Sequence, residues 1–165
     1  MDANALILLV AVSAVSPGSM ADSVATFSQL GPRDELRVHF HANGCFYDTR
    51  YNLVFRGGDA PSVSIATVST TLSRYMHQAP GVPVLSSALS DTMLAGLDGL
   101  LRFYRSRPPG RCTSSEEIEM VQLHDGAIVA QERFRDGSCA STRTPGVYSL
   151  SQLIGRVQFG PGPGR

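Results

Sequence analysis

Residues 36–56 read LRVHFHANGCFYDTRYNLVFR, and the alternation in this stretch decides the fold class. Leu36, Val38 and Phe40 alternate with Arg37, His39 and His41, so an extended chain sorts the apolar side chains to one face and the basic ones to the other. That is a strand buried on one side and wet on the other. Asn43-Gly44 then supplies two residues that tolerate positive φ, the short-range signal of a hairpin turn. A second strand is expected over residues 45–56, with Cys45, Tyr47, Thr49, Tyr51, Leu53 and Phe55 inward and Asp48, Arg50, Asn52 and Arg56 facing water.

Beyond the Gly57-Gly58-Asp59-Ala60-Pro61 turn, a third strand is expected over 62–68, carrying Val63, Ile65 and Thr67 on one face. Residues 70–77 are read as a short helix. The clearest helix follows: Leu89, Met93, Leu94, Leu97, Leu100, Leu101 and Tyr104 recur at steps of three and four, and Ser90 stands where an N-cap belongs. Pro108-Pro109-Gly110 stops it. Gly96 and Gly99 each cost up to about 1 kcal/mol in a helix interior, so this helix is expected to be held against the sheet. A second hairpin over 116–134 turns at Asp125-Gly126, packing through Ile118, Met120, Val121, Leu123, Ile128 and Val129. A last helix over 150–157 has Leu150, Leu153, Ile154 and Val157 on one side and Ser149 as its cap. The expected fold is therefore α+β: a mostly antiparallel sheet of about five strands, in the order β-β-β-α-β-β-α, with one long amphipathic helix packed on it.

The segments outside this body read differently. Residues 1–21 hold an uncharged apolar run from Ala3 to Val15 and then Ser19-Met20-Ala21, the pattern of a secretory signal peptide, although Asp2 stands where a basic residue is usual. Met20 offers the alternative of an internal start and a cytoplasmic protein. The run is too short to span a bilayer, which takes about 20 residues, so no stable membrane insertion of the mature chain is expected. Residues 22–35 are polar and are expected to form a flexible leader, 36–159 a single domain, and 160–165, rich in Gly and Pro, a disordered tail. Zero formal net charge and 42% hydrophobic residues give no reason to expect a nucleic-acid partner and fit a globular class.

Three cysteines, Cys45, Cys112 and Cys139, allow one disulfide. A two-residue Asp125-Gly126 loop sets His124 opposite Ala127, and that register, carried outward, sets Cys112 opposite Cys139. This is the expected pair, and closing its loop is worth roughly 3 kcal/mol. Cys45 is left over. Its inward position makes it a small buried hydrophobe; the sharper alternative is a reactive thiol with His39 or His41 as base. Two imidazoles on one strand face are also weak metal-ligand candidates, with Asp48 the nearest acid. Arg102, Arg105, Arg107 and Arg111 cluster at the end of the long helix, where cations complement its dipole; they form a candidate patch for an anion or an acidic protein partner. No phosphate loop, nucleophile elbow, zinc-protease motif or paired C-x-x-C occurs. The expectation is a secreted or periplasmic, non-catalytic binding or accessory domain with no cofactor and a candidate protein partner. The alternatives are a thiol- or metal-dependent enzyme built on Cys45 with His39 and His41, and a structural partner in an envelope complex.

Overall fold

The structure, a computed structural model, describes residues 23–73, 76–78, 84–106 and 110–160. The signal-peptide segment, Met20, Arg107, Pro108-Pro109 and the tail beyond Gly160 lie outside the described residues. The strands are β1 (Asp34–Asn43), β2 (Asp48–Arg56), β3 (Ser62–Ser73), β4 (Met76–Gln78), β5 (Leu85–Ala88), β6 (Ser115–His124) and β7 (Ala127–Asp136). The helices are α1 (Asp91–Arg105) and α2 (Leu150–Phe159). All seven strands join one antiparallel sheet. Six follow the path β4-β3-β2-β1-β6-β7, and β5 lies beside β4 on the same edge of β3. The fold is α+β, as the alternation over 36–56 requires. Two of its strands are additional. The stretch expected to form a short helix instead prolongs β3 and supplies β4, which pairs back on it, because Thr67, Val68, Thr70 and Thr71 favour extended backbone.

Alternation survives folding. Leu36, Val38 and Phe40 of β1 are buried beside Leu53 and Phe55 of β2 and Val63 and Ile65 of β3. On the other face Arg37, His39, Arg50 and Asn52 are exposed. α1 lies on the apolar face, with Leu97, Leu100 and Leu101 entirely shielded from water. Each such leucine contributes about 1.5–3 kcal/mol on burial, which outweighs what a helical glycine costs. Ser90 caps the helix by accepting from the Met93 N–H at 3.3 Å, and Ser149 caps α2 by accepting from Gln152 N–H at 3.2 Å.

The two glycines of α1 serve a neighbour other than the sheet. The 146–148 segment crosses the helix there: Tyr148 N–H donates to the Gly96 carbonyl at 2.9 Å. A Cβ on Gly96 would stand 2.6 Å from the Tyr148 Cβ, and one on Gly99 would strike the Gly146 carbonyl oxygen. The helix is bare at these two positions so that a second backbone can touch it.

Residues 23–35 correct the expectation of a loose leader. Val24, Phe27 and Leu30 are buried in the main core, and Phe27 meets Phe55 edge to face at 4.8 Å. Main-chain donors are satisfied over long sequence distances: Val24 N–H by Glu132 at 3.1 Å, Ala25 N–H by Gln122 at 2.7 Å. Ser28 donates through both its N–H and its hydroxyl to the buried carboxylate of Asp98. Three apolar anchors spaced three apart sufficed, although the surrounding residues are polar.

The second hairpin turns as expected, with Asp125 at φ 50° and Gly126 at φ 80°. Its register does not hold outward. His124 pairs Ala127 and Leu123 pairs Ile128, but Gln122 pairs Ala130; Val129 is a bulge that shifts every later pair by one.

Substituting the glycines tests the helix contact. Gly99→Ala should lower the stability measured by urea unfolding by about 1–3 kcal/mol through overpacking, whereas Gly155→Ala in α2, where no atom lies within 4 Å of the added Cβ, should raise it by up to about 1 kcal/mol.

Candidate functional site

Among the described residues, the face of the sheet turned away from the helices carries a trough of about 730 Å³. Its floor is formed by β1 and β6, and its walls by β2 on one side and β7 on the other. Strand register aligns its side chains in rows. One row runs Asn52, His39, Glu119, Arg133, and the next Arg50, His41, Glu117, Arg135. Glu119 is bound by Arg133 at 3.1 Å and by the Gln131 amide at 2.8 Å; Glu117 lies 3.7 Å from Arg135 and 3.6 Å from His41. The charges alternate in sign across strands, the favourable arrangement for cross-strand neighbours. Exposed pairs of this kind contribute little stability each.

The two histidines stand on this face as expected, but they are turned apart. His39 Nδ1 meets the Asn52 side-chain oxygen at 2.7 Å, and His41 Nε2 meets Asp48 at 3.0 Å. Among the described residues no group of three or more His, Cys, Asp or Glu is placed to hold a metal ion. Both imidazoles are engaged by partners other than Cys45.

Cys45 is exposed, which corrects the inward position assigned to it. The first ladder closes at Asn43 opposite Asp48, leaving Gly44-Cys45-Phe46-Tyr47 as a four-residue loop in which Gly44 N–H donates to the Tyr47 carbonyl at 2.9 Å. Alternation governs a side chain only while the chain is paired. Phe46 beside it is 78% exposed.

Cys112 and Cys139 are bonded, with Cα atoms 5.9 Å apart, although the bulge breaks the ladder register that pointed to them. Both lie beyond the strands. Cys112 N–H donates to the Gly137 carbonyl at 2.8 Å, and Cys139 adopts φ 54°, so two irregular segments bring the sulfurs together where the ladder alone would have missed by one residue.

The arginine cluster is also redistributed. Arg105 grips Glu132 with two nitrogens, at 3.1 and 2.7 Å, and donates to the Val24 carbonyl at 2.7 Å; it is a clamp on the N-terminal segment, not part of an open anion patch. Arg102 and Arg111 are exposed.

One polar node had no local signal. Glu116, at the start of β6, faces Asp136 across the ladder beside a hollow of about 280 Å³ next to the disulfide. Its Oε2 accepts from the Tyr104 hydroxyl of α1 at 2.9 Å and the Ser141 hydroxyl at 3.4 Å, and its Oε1 from the Ser151 hydroxyl of α2 at 3.5 Å. Asp136 is 2% exposed and accepts from Ser138 N–H at 2.7 Å. Burial pushes the Glu116 carboxyl above its ordinary 4.5, the Asp136 charge adds to this, and the three hydroxyl donors oppose it. Burial and the neighbouring carboxylates push the Tyr104 phenol well above 10. Every donor aimed at Glu116 comes from the fold itself, so the node ties α1, α2 and the disulfide loop to the sheet.

No protein-family model matches the chain, and neither curated proteins nor solved structures gave a match.

Because Glu116 binds its proton more tightly folded than unfolded, its contribution to stability is greatest below pH 4.5 and declines as pH rises above that value. Unfolding measured from pH 4 to 8 should therefore show Glu116→Gln gaining on the parent as pH rises, with the two profiles parallel below pH 4.5.

Proposed function

We propose that this chain is an exported, disulfide-stapled accessory domain that binds a protein partner through the open face of its sheet, with no catalytic chemistry of its own. The observation that carries this reading is the trough: both helices and the N-terminal segment pack on one side of the sheet, and the other side presents rows of opposed charge around a hollow of about 730 Å³. Surfaces that recognise proteins use such charge patterns to fix register and exclude wrong partners. Export is supported by the apolar leader and Ser19-Met20-Ala21. A disulfide between Cys112 and Cys139 fits an oxidising compartment. No helix among the described residues is long and apolar enough to cross a membrane.

A photo-crosslinking side chain placed at His39, in the trough, is expected to yield a discrete adduct in the native host. One at Ala95, exposed on α1, should yield none. Equal labelling from both, or none from His39, would overturn the reading. Intact mass of the exported protein should start at Asp22 and lie two hydrogens below the reduced value; a start at Met20 with all thiols free would remove the export premise.

A second reading, a covalently joined partner in an envelope assembly, is favoured by one observation: Cys45 is exposed at a loop tip beside a largely exposed Phe46. Titration of the native chain with a thiol reagent should count one rapidly reacting group, Cys45, and non-reducing gels of the exported protein should show an adduct that Cys45→Ser abolishes. A gel with monomer alone would eliminate this reading.

A further inference from the structure

We propose that the occupant of the open face is a second copy of this chain, related by a two-fold axis that lies over the gap between β6 and β7 and runs parallel to them; this rests on the reading of that face as the binding surface. A two-fold interface needs a patch complementary to itself. The register of β6 and β7 provides one. Glu119 pairs Arg133, Glu117 pairs Arg135 and Leu123 pairs Ile128. Rotation about this axis lays each β6 over the partner's β7 at the same height. Every unlike pair within a chain is thereby repeated between chains: Glu119 opposes the second copy's Arg133, and Glu117 opposes its Arg135.

Exposure follows the same division. The side chains of Arg133 and Arg135 are 75% and 76% exposed along the wall of the trough, while Glu119 and Glu117 sit lower at 31% and 49%. The two-fold sets the exposed arginines of one copy over the lower-lying glutamates of the other, at the β6 side of the trough. At the hairpin end, Ile128 is 54% exposed although it lies beside the buried Leu123, which belongs to no part of the main core; the two-fold places an Ile128 over each Leu123. From Asp22 on, 14 basic residues stand against 13 acidic ones, a formal charge of +1 that leaves little long-range repulsion between copies. A uniformly acidic partner would confront Glu117 and Glu119, and a uniformly basic one the arginines, so the alternation favours a copy of itself.

Sedimentation of the full disulfide-bonded chain should show a concentration-dependent dimer that weakens in 0.5 M salt, because exposed charges are screened within about a Debye length. Glu119→Arg and Arg133→Glu should each weaken it by roughly tenfold or more, since each sets like charges opposite one another at both symmetric contacts. An equimolar mixture of the two variants should recover the dimer: position 119 of the first variant then meets position 133 of the second with opposite charge, while the like charges within each chain persist. Ile128→Ser, which leaves the charges intact, should weaken association independently, and circular dichroism establishes that each variant is folded. A chain that stays monomeric at 0.5 mM, or variants that dimerise unchanged and gain nothing on mixing, would overturn self-association. If the chain stays monomeric while the His39 crosslinker captures a different polypeptide, the face binds a heterologous partner; if it captures nothing either, the binding reading falls as well.

Discussion

Leu97, Leu100 and Leu101 press α1 against the inner face of the sheet with no water between them, and the other elements take their positions under that constraint. A sheet of this width has two faces, and the apolar residues of α1, α2 and the N-terminal segment cover one of them. The 146–148 segment lies on α1 because Gly96 and Gly99 leave room for a backbone. α2 follows directly from that segment, started by the Ser149 cap.

Polar contacts then lock what burial has gathered. Asp98 of α1 holds Ser28, and Arg105 holds Glu132 and the Val24 carbonyl, so the N-terminal segment is fastened at two points of one helix. At the far end Glu116 gathers hydroxyls from α1, from the loop after Cys139 and from α2. A carboxyl so enclosed is costly to ionise, and Asp136 opposite makes it more so; the hydroxyl donors offset part of that cost. The opposite response belongs to Asp34, where burial is outweighed by hydrogen bonds from His124 and from the Gly31 N–H, holding its carboxyl below 3.8. Stability that Asp34 contributes is present above pH 3.8 and fades as pH falls through its lowered value, whereas that of Glu116 fades as pH rises above 4.5.

With one face packed against the helices, the exposed charged side chains of β1, β2, β6 and β7 stand on the other. The open face owes its charge rows to strand pairing: Glu117 and Glu119 on one arm of a hairpin, Arg133 and Arg135 on the other, aligned by a ladder that a single bulge has shifted. Had Val129 not bulged, Glu119 would stand opposite Glu132 and Glu117 opposite Phe134, and the acidic and basic residues would not share a face. A local irregularity near the turn therefore sets the charge pattern of the whole surface.

Much of this was legible in the residues themselves. Strand alternation in 36–56, the Asp125-Gly126 turn, the stripe of α1 and the caps at Ser90 and Ser149 are local properties, set by backbone preference and by the periods of helix and strand, so the sequence alone determined the α+β class and which faces are apolar. It placed His39 and His41 on the wet face for the same reason. It could not place Cys45, because the loop closed later than Asn43-Gly44 implied. Nor could it see that 23–35 is held by Asp98, Gln122 and Glu132, or that Arg105 is a clamp. The node at Glu116 joins residues from β6, β7, both helices and a loop. Only tertiary structure decided these, because each depends on groups brought together over long sequence distances, and no local period records which distant donor will meet a given carboxylate.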